Sequence, residues 1–460
     1  MWLSIEERDE RMNICVTGTG YVGLVTGTCL AEIGHRVICL DHDGNKIETL
    51  NAGQMPIYEP HLEELVRRNR EKGRLSFTTD FGLANRDAEV VFICVGTPPL
   101  ENGEADLSAV EKVVREVAYR SDSYRLVVEK STVPVQTGEY VSRTLQIYCR
   151  GGQGHFDVAS NPEFLREGSA VYDFFHPDRI VVGVDSPRAE NILHELYRPI
   201  LEGQFSCPVH SSCPASSPPA FLVTDVKSAE LIKHASNSFL AMKISFVNAV
   251  ADLCEKVGAD VEKVARGMGL DVRIGKDFLR AGLGFGGFCF PKDLQAFVRI
   301  AEKIGYDFSL LREVEKINKG RIEVALEKLK KELWILQGKT IGVLGLAFKP
   351  QTDDTRFAPA LELIRRLQRE GAKIRAYDPK AAQKTAEEIP DIFFAASPYQ
   401  AAEGTEALIL ATEWPEFRDL DWKKIRGSMV HPFIFDGRNF LDPAQLRAAG
   451  FRYEGMGRPG

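Results

Sequence analysis

The sequence contains no apolar stretch of the about 18 residues that a membrane-spanning helix needs, so no membrane span is expected. Its N-terminus, MWLSIEERDER, carries acids and lacks the basic-then-apolar layout of a secretory signal. Residues 1–11 read as a short extension. Basic charge is also in deficit: the formal net charge is -7. That gives no field to hold a polyanion, and nucleic acid is excluded as a partner, whereas a small anion needs only a few local cations. A disulfide framework is missing as well. The nine cysteines are scattered, and Cys15, Cys39 and Cys94 sit inside apolar runs, the usage of buried thiols in a reducing, cytoplasmic compartment. Cys207 and Cys213 lie in a Ser- and Pro-rich segment, Phe205 to Phe221, which reads as an exposed loop. No partner pair at zinc-like spacing accompanies them, so no metal site is expected.

What is present is α/β patterning over 460 residues, more than one hydrophobic core accommodates. Strand-like runs at Ile14 to Val16, Arg36 to Leu40, Val90 to Val95, Arg125 to Val128 and Ile180 to Val184 alternate with helical stretches such as Leu24 to Ile33. Such alternation predicts a parallel, doubly wound sheet. Residues Thr224 to Val257 then lack Gly and Pro and repeat apolar positions at helical spacing. One long helix of roughly 30 residues is expected, about 45 Å at 1.5 Å per residue; two helices with a break are the alternative. A second α/β series follows: Lys339 to Leu344, a helix near Ala360 to Glu370, Lys373 to Asp378, Ala407 to Ala411 and Met429 to Asp436. The fold class is therefore α/β, two Rossmann-like doubly wound domains joined by a long central helix. The expected domains are 12–223, 224–330 and 331–460.

Several segments carry chemistry. GTGYVG, Gly18 to Gly23 with Tyr21 and Val22 inside it, follows a strand and opens a helix. Gly18 suits a tight turn, Gly20 close approach to a pyrophosphate, and Gly23 close helix packing. Asp41 ends the next strand, where a carboxylate accepts from ribose hydroxyls and repels a 2′-phosphate, which selects NAD; a strand-end Asp also serves as a plain turn residue. Lys46 either assists the adenosine end or lies on a solvated helix face. GLGFGGFCFPKD, Gly282 to Asp293, surrounds Cys289 with glycines, fitting either a thiol nucleophile in a loop open to substrate, with Lys292 beside it, or a glycine-rich surface loop with an incidental cysteine. In SNPEFLREGSA, Glu163 and Glu167 stand four apart, on one face if the segment is helical: paired carboxylates able to activate water, or a charged face. Lys233 and Asn237 stand four apart in the long helix, either an oxyanion-stabilising pair or a polar stripe. Lys349 and Arg356, in FKPQTDDTR, are candidate phosphate ligands.

Taken together, GTGYVG, VGTPP, EKSTVP, NPEFLREG, the Lys233/Asn237 helix, GFGGFCFPKD, FKPQTDDTR and FDGRN stand in one order between Met12 and Asp442. In that order the chain resembles the UDP-glucose/GDP-mannose dehydrogenase family, on its UDP-glucose branch. The resemblance implies NAD-dependent four-electron oxidation of the sugar nucleotide to a uronate through aldehyde, thiohemiacetal and a thioester on Cys289. It implies that Lys233 and Asn237 stabilise the oxyanion, that Asp293 and Thr132 position water or move protons, and that Glu163 is the base for hydrolysis. NAD contacts are implied for Gly18, Gly20, Tyr21, Val22, Gly23, Asp41, Lys46, Thr97, Thr132, Glu167 and Arg356. Sugar-nucleotide contacts are implied for Glu163, Phe164, Leu165, Lys233, Asn237, Arg280, Gly284, Phe285, Gly286, Phe348, Lys349 and Arg438. Arg273 is similar to a family arginine that reaches a neighbouring subunit, which implies a homodimer or larger homo-oligomer with the long helix as its seam. Rival readings are oxidation of GDP-mannose or a UDP-N-acetylhexosamine, or a catalytically silent nucleotide-binding protein. The chain departs from the family pattern at Phe288, beside the thiol where Ser is usual, at His61, where Gly is usual and a remodelled loop is expected, and in the longer Phe205 to Phe221 segment.

Overall fold

The computed structural model describes residues 11–149, 155–210, 213 and 218–459; of the N-terminal extension only Arg11 falls among them. The chain divides into two compact units, Met1–Ala235 and Ser236–Gly460. The division falls inside one continuous helix, Val226–Val257, the long rod expected from the sequence.

In the first unit the strands are β1 (Asn13–Thr17), β2 (Arg36–Leu40), β3 (Leu75–Thr78), β4 (Val90–Ile93), β5 (Arg125–Glu129), β6 (Phe156–Ser160), β7 (Arg179–Val184) and β8 (Ala220–Thr224). They form one sheet in the order β3-β2-β1-β4-β5-β6-β7-β8, whose first six strands follow the dinucleotide-binding 3-2-1-4-5-6 arrangement. All neighbours are parallel except β6 and β7, which pair antiparallel through Ala159–Val184 and Ser160–Gly183; the expected all-parallel sheet is corrected there. Helices cover both faces, so central strands such as Val90–Ile93 are apolar throughout rather than alternating. One face packs Leu24, Leu30, Leu65, Phe175 and Leu196, the other Val114, Val117, Val141 and Leu145.

The second unit repeats the plan with β9 (Thr340–Leu344), β10 (Lys373–Tyr377), β11 (Phe393–Phe394), β12 (Ala407–Leu410), β13 (Phe433–Asp436) and β14 (Arg452–Gly455). Their order, β11-β10-β9-β12-β13-β14, is again 3-2-1-4-5-6. The strand expected over Met429 to Asp436 begins only at Phe433, because Pro432 has no N–H to give a ladder.

Three further expectations are corrected. Phe205, Val209 and Phe221 pack against the first unit's core, and Phe221 lies in β8, paired with β7, so both ends of the expected loop are anchored rather than merely exposed, while 211–212 and 214–217 lie outside the described residues. The His61 loop is not remodelled. His61 keeps the left-handed conformation (φ 67°) at the start of helix Leu62–Glu71, which costs about 1–2 kcal/mol without glycine. Finally, NPEFLREG is not helical: Pro162 restricts the residue before it, Gly168 has φ 81°, and helix Ala170–Phe175 starts only after it.

A buried carboxyl pair joins β5 to the first turns of the long helix. Glu230 accepts the N–H groups of Gln136 (2.7 Å) and Gly138 (2.8 Å). Burial, then the charge of Glu230 and a hydrogen bond to it, hold the Glu129 carboxyl well above the usual carboxylate range. A raised acid contributes stability that is full below its unfolded range and is lost as pH rises towards its folded value. Glu129→Gln copies the protonated form at every pH. Its thermal midpoint is therefore expected to rise relative to the parent as pH climbs above the ordinary carboxylate range, with the two converging at the acid end. Parallel midpoint-against-pH curves would show that Glu129 carries no buried proton.

Candidate active site

The nucleotide end of the first unit is built at the C-terminal ends of β1 and β2. Gly18 takes φ 93°, and a Cβ there would stand 2.7 Å from the carbonyl oxygen of Cys94. Helix Tyr21–Glu32 begins ahead of the Leu24 to Ile33 stretch read from the sequence, and its N-cap, Gly20, offers no side-chain cap. Its first-turn N–H groups are thus left for an anion, and a Cβ on Gly20 would meet nothing within 4 Å. Asp41, buried at the end of β2, accepts from the Thr19 N–H (2.7 Å), the Thr19 hydroxyl (2.8 Å) and Lys46 Nζ (3.3 Å). Burial works to raise its carboxyl, but the Thr19 and Asp43 N–H groups, the Thr19 hydroxyl and Lys46 outweigh it and hold it below the ordinary value. An open glycine, an uncapped helix end and an ionised strand-end carboxylate fit a dinucleotide with a free ribose diol. Thr97 and Thr132 meet beside them at the ends of β4 and β5, the Thr97 hydroxyl donating to the Thr132 carbonyl at 2.9 Å.

The NPEFLREG loop is held by carboxylates. Glu163, expected to share a helix face with Glu167, instead turns inward: its Oε1 lies 2.9 Å from Lys233 Nζ and its Oε2 accepts the Leu165 N–H at 2.6 Å. Glu167 lies on the turn before Gly168, half-buried. Phe164 presents its ring to Arg179 at 3.9 Å and to Lys233 at 5.4 Å. Two groups that sequence reading passed over organise this region. Glu59 accepts the Tyr21 hydroxyl and the N–H groups of Gly168 (2.6 Å) and Ala170 (2.7 Å), tying GTGYVG to NPEFLREG. Lys130 donates to the Asn161 carbonyl (3.2 Å) and side-chain oxygen (3.0 Å). Burial pushes its ammonium down to about 8 against the pull of Cys94 and Glu163. Both stood in plain view, Glu59 just before His61 and Lys130 in EKSTVP, but neither spacing revealed its partner.

In the second unit Cys289 is the first residue of helix Cys289–Lys303, where helix N–H groups and dipole favour an anion. It is half-buried, whereas Cys15 and Cys94 are fully buried and burial pushes their thiols up to about 12. Asp293, one turn on, is buried; its Oδ2 accepts from Asn237 at 2.7 Å and its Oδ1 lies 2.7 Å from Lys292 Nζ. Beside two of the glycines before Cys289, protein fills the space that a side chain would take. A Cβ at Gly284 would stand 2.5 Å from Asn318 and one at Gly287 2.7 Å from the Phe348 ring. Asn318, which nothing in the sequence announces, clamps Phe285 by accepting its N–H (2.8 Å) and donating to its carbonyl (3.0 Å). Arg438 donates to the carbonyls of Gly284 (2.9 Å) and Ala411 (2.8 Å). Lys349 lies over the Phe348 ring at 5.3 Å. Phe288 lies under the Arg356 guanidinium at 4.4 Å and near Lys292 at 5.6 Å, while Arg356 is paired with Asp354. Arg280 is exposed, and Arg273 sits on an exposed turn, paired with Asp271 at 2.6 Å.

Elsewhere in the first unit the fold supplies what the sequence withheld from Cys207 and Cys213: His176 and His210 stand beside them. His176 lies far upstream, so no spacing rule finds it.

A Rossmann unit fitted to a dinucleotide, in a chain whose second unit carries a helix-initial cysteine, marks the class of NAD-dependent dehydrogenases. Family models agree along the chain: the NAD-binding domain of the UDP-glucose/GDP-mannose dehydrogenase family matches residues 12–201, its central domain 227–320 and its UDP-binding domain 342–443. The chain belongs to that family. It is 45% identical to UDP-glucose 6-dehydrogenase TuaD of Bacillus subtilis over 97% of this chain and 93% of that one. It is 45% identical to the UDP-glucose 6-dehydrogenase of Pseudomonas aeruginosa over 97% and 98%. A UDP-glucose dehydrogenase structure from Pyrobaculum islandicum superposes with a TM-score of 0.87 at 38% identity, covering 99% of this chain and 100% of that one. Among the described residues no helix is long and apolar enough to cross a membrane.

The Asn318 clamp makes a direct prediction. Asn318→Ala leaves both Phe285 backbone groups without these bonds, a loss of roughly 1–3 kcal/mol in anchoring. kcat is expected to fall on the order of tenfold, with NAD affinity by fluorescence titration unchanged. An unaltered kcat would show that the cysteine loop holds its shape without the clamp.

Proposed function

We propose that the protein oxidises UDP-glucose to UDP-glucuronate with NAD, passing through a thioester on Cys289. The observation that carries this is Cys289 at a helix start with Asp293 one turn beyond, held by Asn237; the substrate rests on the UDP-glucose 6-dehydrogenases that this chain matches over nearly its whole length. When bound, NAD supplies the hydride acceptor, twice per substrate. An aldehyde has no good second hydride to give until a nucleophile makes its carbon tetrahedral, and Cys289 provides that nucleophile. Its sulfur adds to the aldehyde carbon, the thiohemiacetal is oxidised to a thioester, and water cleaves the C–S bond to give carboxylate and free thiol. Alcohol, two NAD and one water thus yield carboxylate, two NADH and three protons.

Lys233 brings a cation, and with Asn237 it is assigned the oxyanion that forms at each tetrahedral stage. Glu163 and Asp293, both buried, are assigned proton transfer and the placing of water, with Thr132 beside the cofactor end. Gly18 through Gly23, Asp41, Lys46, Thr97, Glu167 and Arg356 are assigned to NAD. Phe164, Leu165, Arg280, Gly284 to Gly286, Phe348, Lys349 and Arg438 are assigned to the sugar nucleotide. Wild type should yield two NADH per UDP-glucose, with GDP-mannose and UDP-N-acetylhexosamines poor substrates. Cys289→Ser should yield one or none and lose uronate formation by at least about 10³-fold. Two NADH per substrate at normal rate from that variant would refute the thioester.

The working form is proposed to be a homodimer. Phe239, Phe246 and Leu253 lie exposed at every seventh residue of the long helix, with Val257 one turn on, a seam that a second copy would cover. Leu270, Val272 and Ile274, also exposed, flank Arg273, which is assigned to the neighbour's substrate. Phe246→Asp puts a charge where an aromatic ring worth about 1.5–3 kcal/mol of burial stands. Light scattering is expected to show half the wild-type mass, with activity lost alongside. An intact dimer in that variant would place the seam elsewhere.

A further inference from the structure

The geometry points to a structural zinc site formed by His176, Cys207, His210 and Cys213, lying wholly within the first unit. One ligand atom from each of the four lies within 4.8 Å of all the others. His176 Nε2 stands 3.2 Å from Cys207 Sγ and 3.1 Å from Cys213 Sγ, and His210 Nδ1 stands 3.9 Å from Cys207 Sγ. Tetrahedral zinc with Zn–S about 2.3 Å and Zn–N about 2.0–2.1 Å sets its ligands roughly 3.3–3.8 Å apart. The three separations just given lie close to that range.

Three features favour an ion over chance proximity. Cys207, His210 and Cys213 follow one another at every third position, close to the spacing of zinc-binding turns. The His210 N–H donates to Cys207 Sγ at 3.4 Å, a bond that a thiolate ligand accepts well. The imidazoles are also set by packing. Tyr172 lies 4.7 Å from His176 and edge-on to His210 at 5.5 Å, and Phe205, itself against Phe175, lies 5.6 Å from His176. Two sulfurs and two imidazoles select zinc over hard cations. On binding, each thiol releases its proton to solvent, leaving a neutral Zn–thiolate–imidazole centre. Four protein ligands close the coordination sphere, so the role is structural. The ion would join the segment after helix Pro187–Leu201 to the end of helix Ala170–Phe175, whose Asp173 also holds Arg166 at 2.6 Å. NPEFLREG would be stiffened from behind.

The test is elemental analysis of the full-length protein after gel filtration in chelator-containing buffer, with thiols counted under denaturing, non-reducing conditions. About one zinc per chain is expected, falling to near zero in Cys207→Ser/Cys213→Ser, which should still reduce NAD. Strong chelation should lower the thermal midpoint by roughly 5 °C. Cobalt added to chelator-stripped wild type should give thiolate-to-metal charge transfer and tetrahedral ligand-field bands. Should the double variant fold poorly, surface His210→Ala serves instead, with cobalt affinity expected to drop about 10-fold or more. Zinc content equal in wild type and variant, absence of the cobalt bands, or two missing thiols without metal (a Cys207–Cys213 disulfide) would each overturn the site.

Discussion

The loops that carry chemistry here depend on buried carboxylates that accept backbone N–H groups. A loop at the end of a parallel strand leaves N–H donors without a ladder, and burying them unpaired costs about 1–3 kcal/mol each. Asp41 takes the N–H of Thr19, Glu59 those of Gly168 and Ala170, Glu163 that of Leu165, and Glu230 those of Gln136 and Gly138. Each bond satisfies a donor and fixes a loop in one act. The charge is tolerated because donors surround it, and at Glu163 because Lys233 neutralises it.

The two Rossmann units show one device put to two uses. Gly18 and Gly345 take nearly the same conformation, φ 93° and 90°, and donate to the last carbonyl of the adjacent strand, Leu40 and Tyr377. Asp41 and Asp378 then follow those strands. Asp378 is enclosed: it accepts from Leu346, Ala347, Lys380 and Ala381 N–H groups and from the Trp414 indole. Asp41 accepts instead from the Thr19 N–H and hydroxyl and the Asp43 N–H, with Lys46 and His42 beside it. The same frame thus surrounds its strand-end carboxylate with different partners in the two units.

Periodic and strand-end features were legible in the sequence; partnerships across the fold were not. The rod Val226–Val257, strands β1, β2, β4, β5, β7, β9, β10, β12 and β13 and the Gly18/Asp41 pairing follow from local pattern, because apolar runs and turn glycines act over a few residues; β3, β6, β8, β11 and β14 were not read from the sequence. The NPEFLREG segment misled for a physical reason: i to i+4 spacing means a shared face only if the backbone is helical. Here Pro162, Gly168 and the self-bond of Glu163 to Leu165 compete with the helix. Asn318, Glu59 and His176 were invisible because each meets its partner over tens of residues. Glycines were legible as positions without room for a side chain, but not as to what takes that room. At Gly284 and Gly287 it is Asn318 and Phe348.

Phe288 shows how a departure beside a nucleophile is accommodated. A large ring next to Cys289 would reshape the site if it pointed where the sulfur points. Instead it lies against the Arg356 guanidinium and near the Lys292 ammonium, contacts worth about 0.5–2 kcal/mol. Arg356 in turn donates to Asp354, and its carbonyl accepts the Gly287 N–H at 3.0 Å. The ring thus joins two segments, the one before the cysteine and FKPQTDDTR, that are already joined through the backbone. A serine there would keep the backbone bond but give up the ring's contact with both cations. The substitution that looked most threatening to the thiol therefore acts on the fixing of its loop.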